Sequence, residues 1–226
     1  GLFNWSLASV LIKTFKFLIF LLIGALLPGL FLLKRVLPRE TPFLQRSTMA
    51  LILGLTVFTI LFFLLSQIGL KQIIFVYLLL NLLLPVSFSR EYLSNFRFNF
   101  KDKFNLLLIG LIVAGSIFQQ LPTFKNGLEF PYGMGFWGPN THDGIWHIAL
   151  VNQLQTVPPQ NPIFSGETLK NYHFFYDLLI AATHYLSGIP VMDLLFRFYP
   201  VIFSLILGIS SYFLIRSLCK DKIAAI

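Results

Sequence analysis

The chain has 226 residues, 56% of them hydrophobic and only 12% charged, with 26 Phe and a mean hydropathy of +0.77. Soluble domains run near 45–50% apolar and about 25% charged, so this sequence lacks the polar surface to face water all round, and its composition also excludes disorder, collagen, a disulfide scaffold and a coiled coil. Its net charge of +8 would suggest nucleic acid in a soluble protein, but here a topological cause fits better, and the single cysteine, Cys219, leaves no internal disulfide or thiolate metal cage.

In chain order, apolar stretches free of acidic residues lie at 17–33, 48–67, 72–88, 104–119 and 198–215. A helix crosses a bilayer with roughly 17–25 apolar residues. The first stretch is long enough, more so when extended back through 7–12, and the fourth is marginal. The expected fold is therefore all-α, a polytopic transmembrane helical bundle of about five spans. Leu27, Pro28 and Gly29 lie inside a stretch too long for a signal peptide. Gly1, in place of a start methionine, is expected of a trimmed chain or a fragment.

The segment 173–186 is apolar and aromatic, but it is short and carries Asp177 and His184. Segments of roughly 10–14 apolar residues are more often interfacial or re-entrant than spanning. A carboxylate at mid-bilayer would also cost about 2.5–3.5 kcal/mol. The cations decide between the two topologies. If the segment does not cross, Lys34, Arg35, Arg39, Arg46, Arg90, Arg97, Lys101, Lys103, Arg216, Lys220 and Lys222 share one side, eleven of the 17 cations. If it crosses, the bias collapses to eight against nine. The non-spanning topology is expected, with residues 121–197 forming one long segment on the non-cytoplasmic side. The basic excess then lies on cytoplasmic turns facing anionic lipid, and nucleic acid is not needed.

All four histidines and five of the nine acids fall between 129 and 193. The apolar stretches of the interior spans hold no Asp, Glu, Lys, Arg or His, unlike those of ion-coupled transporters. The chemistry is therefore expected at the outer membrane face. In Asn140-Thr141-His142-Asp143-Gly144-Ile145-Trp146-His147, a polar cap before an apolar run predicts a helix from about His142 to Leu154. Asp143 and His147 then share one face. They could act as a base with its orienter or as two metal ligands; alternatively, Asp143 only complements the helix dipole. The three prolines of Val157-Pro158-Pro159-Gln160-Asn161-Pro162 predict a stiff extended connector, followed by Gly166 and the loop acid Glu167. Around Lys170, the aromatics Tyr172, Phe174, Phe175 and Tyr176 read as a headgroup-level belt, which leaves His173 and Asp177 unexplained. Arg197 would either snorkel to the headgroups or clamp a lipid-linked phosphate.

The order of parts is a span, an outer loop with an early Asp, a proline-rich stretch and a short interfacial helix. The entry Gly188-Ile189-Pro190-Val191-Met192-Asp193-Leu194-Leu195-Phe196-Arg197-Phe198-Tyr199-Pro200 into the next span completes it. Over residues 104–217 this order resembles the GT-C superfamily of membrane-embedded glycosyltransferases, which includes protein mannosyltransferases. The segment from Pro158 to Phe175 is also similar to the bacterial and archaeal YYY membrane proteins.

The resemblance implies two parts: N-terminal transmembrane helices over 1–103, about three spans, and the start of a GT-C-like module over 104–226. That module would hold a span, the outer loop 121–197 with interfacial helices, and a span over 198–216, with further spans following in a longer protein. It implies a transferase of the cell envelope, in the plasma membrane with its site on the extracytoplasmic face. The sugar would come from a polyprenyl-phosphate donor held among membrane lipid. Asp143 stands where the family has its first-loop catalytic carboxylate, which deprotonates the acceptor or helps hold a divalent metal. Where many members carry a second acid, this chain has Gly144, so His147, Glu167 or Asp177 would fill that role. Tyr172 and His173 stand at the motif opening the second interfacial helix, and Arg197 near the lipid phosphate. The candidate catalytic residues are thus Asp143, His147 and Glu167, and the candidate substrate-binding residues are His142, Lys170, Tyr172, His173, Asp177 and Arg197. The competing expectation is a transporter or flippase component for lipid-linked glycans.

Overall fold

The computed structural model describes residues 6–38, 40–84, 102–155, 160–164 and 166–219. The chain is mostly helical. Helix α1 (Leu7–Leu33) is followed by α2 (Phe43–Gln67), the shorter α3 (Lys71–Leu82) and α4 (Lys103–Gln120). A small antiparallel hairpin comes next, β1 (Leu128–Phe130) with β2 (Gly133–Gly135), pairing Leu128 with Gly135 and Phe130 with Gly133. Then come α5 (Asp143–Gln153), α6 (Phe175–Ser187) and α7 (Val191–Leu218). Helices α1, α2, α4 and α7 are long and apolar enough to cross a membrane, as expected of an integral membrane protein.

Two expected boundaries move. The stretch 72–88 is represented by α3, a 3-residue tight turn and a 9-residue α-helix, about 19 Å long; residues 85–88 lie outside the described residues. The last helix starts at Val191, not at 198, and carries Asp193 and Arg197 inside it. These two stand one turn apart and form an ion pair at 3.0 Å, so each charge is matched within the helix.

Proline sets the local shape of both α1 and α7. Pro28 has no N–H, so the carbonyl four residues back loses its donor. Over Leu21–Leu26 the helix widens to a π-turn, with Leu27 N–H reaching Leu22 O. Helix α3 supplies the missing donors: the Tyr77 hydroxyl donates to Gly24 O at 2.9 Å and the Asn81 amide to Ile23 O at 3.0 Å. Before Pro200 the same event recurs. A π-turn covers Leu194–Phe198, and the Tyr176 hydroxyl of α6 donates to Leu195 O at 3.2 Å. In hydrocarbon an unsatisfied carbonyl is expensive, so these hydroxyls fix where α3 and α6 dock.

Helices α1 and α2 meet through two reciprocal small-residue steps, Ala25 with Gly29 and Ala50 with Gly54. A Cβ on Gly29 would overlap the Ala50 carbonyl oxygen, and one on Gly54 the Ala25 carbonyl oxygen. Close backbone approach of this kind drives helix association where lipid offers no hydrophobic gain.

Helix α6 has 13 residues, about 20 Å, too short for a hydrocarbon core of about 30 Å. It does not lie at the surface, however. Residues from Asp177 to Thr183 are buried, packed between α2 (Phe62 with Tyr185, ring centroids 5.8 Å apart) and α7 (Tyr176 with Phe203, 5.7 Å). The expected aromatic belt is therefore largely core: Phe174 packs on Phe63, and among these rings Phe175 is exposed. Gly188 adopts φ 64° to end α6, and Pro190 opens α7. One core joins Phe17, Phe58 and Phe62 to Leu150, Ile180 and Tyr199.

Helix ends come together in a fixed pattern. Lys13 near the start of α1 ion-pairs with Asp193 at 2.7 Å, and Lys71, just past α2, donates to Gln155 O at 2.9 Å. Phe104 at the start of α4 meets Tyr212 near the end of α7, so these two helices run antiparallel.

Candidate functional site

Helix α5 presents His147 to α6. Its Nδ1 lies 2.8 Å from Asp177 Oδ1, and the aspartate side chain is only 1% exposed. Gly144 brings α5 close to α7: a Cβ there would stand 3.0 Å from the Phe196 ring and 3.2 Å from Asn140 Cβ. A second acid at this position would have to displace Phe196. His147 is the more exposed member of the pair, at 25%, and it lines a cleft of about 300 Å³ together with Gln119, Thr123, Asn140, Tyr176 and Phe203. The hydrogen bond to Asp177 raises the His147 pKa above its ordinary value; burial opposes this, and the charges of Asp177 and Asp143 add to it. Burial pushes the Tyr176 phenol up strongly, with the Asp177 charge adding to the rise.

A groove of about 630 Å³ runs between α1, α4 and α7 beside this cleft. Its walls are apolar, with Val10, Val113, Ile117, Phe198, Val201 and Leu205 among them, and they carry Lys13, Lys125, Asp193 and Arg197. Asp193 bridges two helices, taking Lys13 on Oδ2 at 2.7 Å and Arg197 on Oδ1 at 3.0 Å. Arg197 also donates to Asn126 O at 2.8 Å. Asn126, fully buried, donates to Pro122 O at 2.8 Å and accepts from Trp137 N at 2.6 Å. Arg197 therefore does not snorkel: it ties the loop after α4 to α7. Ser116 Oγ and both amide atoms of Gln120, also on the groove wall, are buried without a hydrogen-bond partner among the described residues. Groove and cleft adjoin along one seam, since Gln119 and Phe196 line the cleft while Gln120 and Arg197 line the groove.

No family model, curated protein or solved structure matches the chain. The site rests on its own geometry.

That geometry brings together some of the expected residues and leaves others apart. Asp143 is exposed in the first turn of α5 and is not among the residues lining the cleft. His142 caps that helix through its backbone alone and is exposed, while Asn140 and Thr141 bond to Pro122 O and Gly138 O instead of capping it. Tyr172 faces the pair, its ring 6.4 Å from that of His147 and 5.6 Å from that of Trp146, with exposed His173 stacked on it at 4.6 Å. Lys170 and Glu167 are exposed and line neither cavity. Glu167 belongs to a loop closed by Asn161 N donating to its carbonyl at 2.8 Å; of the proline stretch before it, residues 156–159 lie outside the described residues. Among the described residues, no three of His, Cys, Asp and Glu converge as metal ligands. With Gly144 also filled against Phe196, the residues around Asp143 do not fit a divalent metal.

Lys13, Lys125, Asn126 and Asp193 were not singled out in the sequence. The Asp193–Arg197 spacing of four was visible there as a helical ion pair. Lys13, a cation leading into an apolar stretch, was the other signal.

Proposed function

We propose that the chain is part of an integral-membrane glycosyltransferase that takes a sugar from a polyprenyl-phosphate donor and delivers it to an extracytoplasmic acceptor, as GT-C enzymes do. The observation that carries this reading is the apolar groove walled by Lys13, Lys125 and Arg197 and adjoining the His147–Asp177 cleft. Hydrocarbon walls suit a lipid tail. The three cations exceed the single carboxylate of Asp193, so the groove is net positive and suits a phosphate. Orphaned polar atoms at Ser116 and Gln120 would gain partners from a polar headgroup. Lys170, the other cation among the candidate substrate-binding residues, lines neither cavity and is left without that role.

The contacts also support five crossings, with the site on the extracytoplasmic side of the plasma membrane. Lys13, Lys71, Gln155 and Asp193 gather at one level, whereas Lys103 starts α4 at the other end of α7. On this reading α3 begins a return crossing from the first of these levels. The turn with Lys34 and Arg35 and the last helical turn of α7 with Arg216 fall on the opposite side on this reading, in line with the positive-inside rule.

The test uses the full-length protein in membranes with a labelled polyprenyl-phosphate sugar. Transfer is expected, and Lys125→Glu should raise the donor KM about tenfold or more, the loss of one charge-assisted contact. Donor binding that depends on Lys125 but yields no transfer would replace this reading with the flippase one.

A further inference from the structure

We infer that His147 is the proton acceptor of the transfer step and that Asp177, rather than Asp143, is its positioning residue. The assignment rests on the transferase reading and goes past it by naming the base. Asp177 Oδ1 sits 2.8 Å from Nδ1, and a buried carboxylate there holds the proton on that nitrogen. The lone pair of Nε2 is then the basic site. No described residue bonds Nε2, and the ring lines the cleft among Gln119, Thr123 and Asn140, which offer polar contacts to an acceptor. Asp143 is exposed, outside the cleft lining, and makes no hydrogen bond to the imidazole among the described residues. Its influence on His147 is through space.

In the step itself the acceptor hydroxyl oxygen attacks the anomeric carbon and forms the new C–O bond. The bond from that carbon to the phosphate oxygen breaks, and its electron pair stays on the phosphate. The hydroxyl proton passes to Nε2, and the imidazolium so formed is paired with Asp177. Lys13 and Lys125 face the charge that develops on the phosphate. Release of the proton to water restores the base, and the products are the glycosylated acceptor and the polyprenyl phosphate.

The charged and titratable groups facing His147 are Asp177 and Tyr176 on α6, Tyr172 just before it, and Asp143 one turn back on α5. Because Asp177 is the leading cause of the raised His147 pKa, the base form is lost as pH falls through a value above about 6.5.

The experiment measures kcat/KM against pH for the full-length protein in membranes, with a labelled polyprenyl-phosphate sugar and its acceptor. His147→Ala should lose roughly 100-fold or more, and added imidazole should restore part of it, which only a folded variant allows. Asp177→Asn should lower the rate and move the acid limb to lower pH, a shift that a purely structural pair would not produce. Asp143→Asn should cost less than Asp177→Asn. The inference is overturned if His147→Ala keeps its activity, if imidazole fails to rescue it and the Asp177→Asn limb stays put, or if Asp143→Asn costs more than Asp177→Asn. If the unaltered protein transfers no sugar at all, the transferase reading fails instead.

Discussion

Asp193 is the point where α1 and α7 are tied by charge, and its neutralisation separates stability from ligand affinity. Its carboxylate takes Lys13 at 2.7 Å and Arg197 at 3.0 Å, with the Asp193 and Arg197 side chains 7% and 9% exposed and Lys13 25%. Asp193→Asn keeps the shape and removes the charge, depriving the buried guanidinium of this carboxylate. Breaking a buried pair by removing one partner costs about 3–5 kcal/mol. Lys13 regains water more readily, which puts the expected loss near the low end, about 3 kcal/mol. Lys13→Met leaves Asp193 with Arg197 and should cost about 1 kcal/mol, the ceiling for an exposed pair. At roughly 2–4 °C per kcal/mol for a chain of this size, Asp193→Asn should lower Tm by about 6–12 °C. Lys13→Met should lower it by about 2–4 °C. The monodisperse fraction surviving a heating series in detergent, read by size exclusion, measures both. Removing the one acid also makes the groove more positive, so affinity for an anionic lipid should rise while stability falls. An Asp193→Asn protein that melts within about 2 °C of the unaltered one, or no earlier than Lys13→Met does, would refute the central role of this carboxylate.

Three further outcomes follow from the packing and the titration. Gly54→Ala and Gly29→Ala push a methyl group into a backbone carbonyl and should each cost about 1–3 kcal/mol. Gly110→Ala, where nothing lies within 4 Å of the added carbon, should leave the heating curve unshifted; equal melting of all three would disprove the tight α1–α2 crossing. His147 has a pKa raised in the folded state, so its pairing contributes stability that is full below its unfolded value of about 6.5. That contribution is lost as pH rises through the folded value. The Tm gap between the unaltered protein and His147→Gln should therefore narrow from pH 5.5 to pH 9, and a gap that widens would reverse the assignment. Cys219, exposed at the end of α7, should react with an impermeant maleimide only after the membrane is opened. Tyr132→Cys on a Cys219→Ser background should react in intact cells, and the reverse pattern would invert the topology.

How far the sequence reveals this molecule depends on whether each feature is local. The spans are legible because a crossing helix must be apolar along its whole length, a property of consecutive residues. The short α6 is legible too, through its length and the charge balance around it. Its burial is not: the headgroup-belt reading of its aromatics leaves Asp177 unexplained, and only the docking of α5 against α6 shows that His147 occupies it. The pairing expected along the sequence, Asp143 with His147 one helical turn on, gives way to a pairing 30 residues apart, because Asp143 on the first turn of α5 is exposed while His147 on the second faces α6. The π-turns follow the same logic in reverse. Pro28 and Pro200 announce in advance that Gly24 and Phe196 lose their regular donors, but not that Tyr77 and Tyr176 would donate in that region. A proline inside an apolar run, with a tyrosine in a short apolar helix elsewhere in the chain, is thus a readable sign of docking. Applied to Tyr176, it locates α6 against α7, and with α6 comes the carboxylate that holds His147.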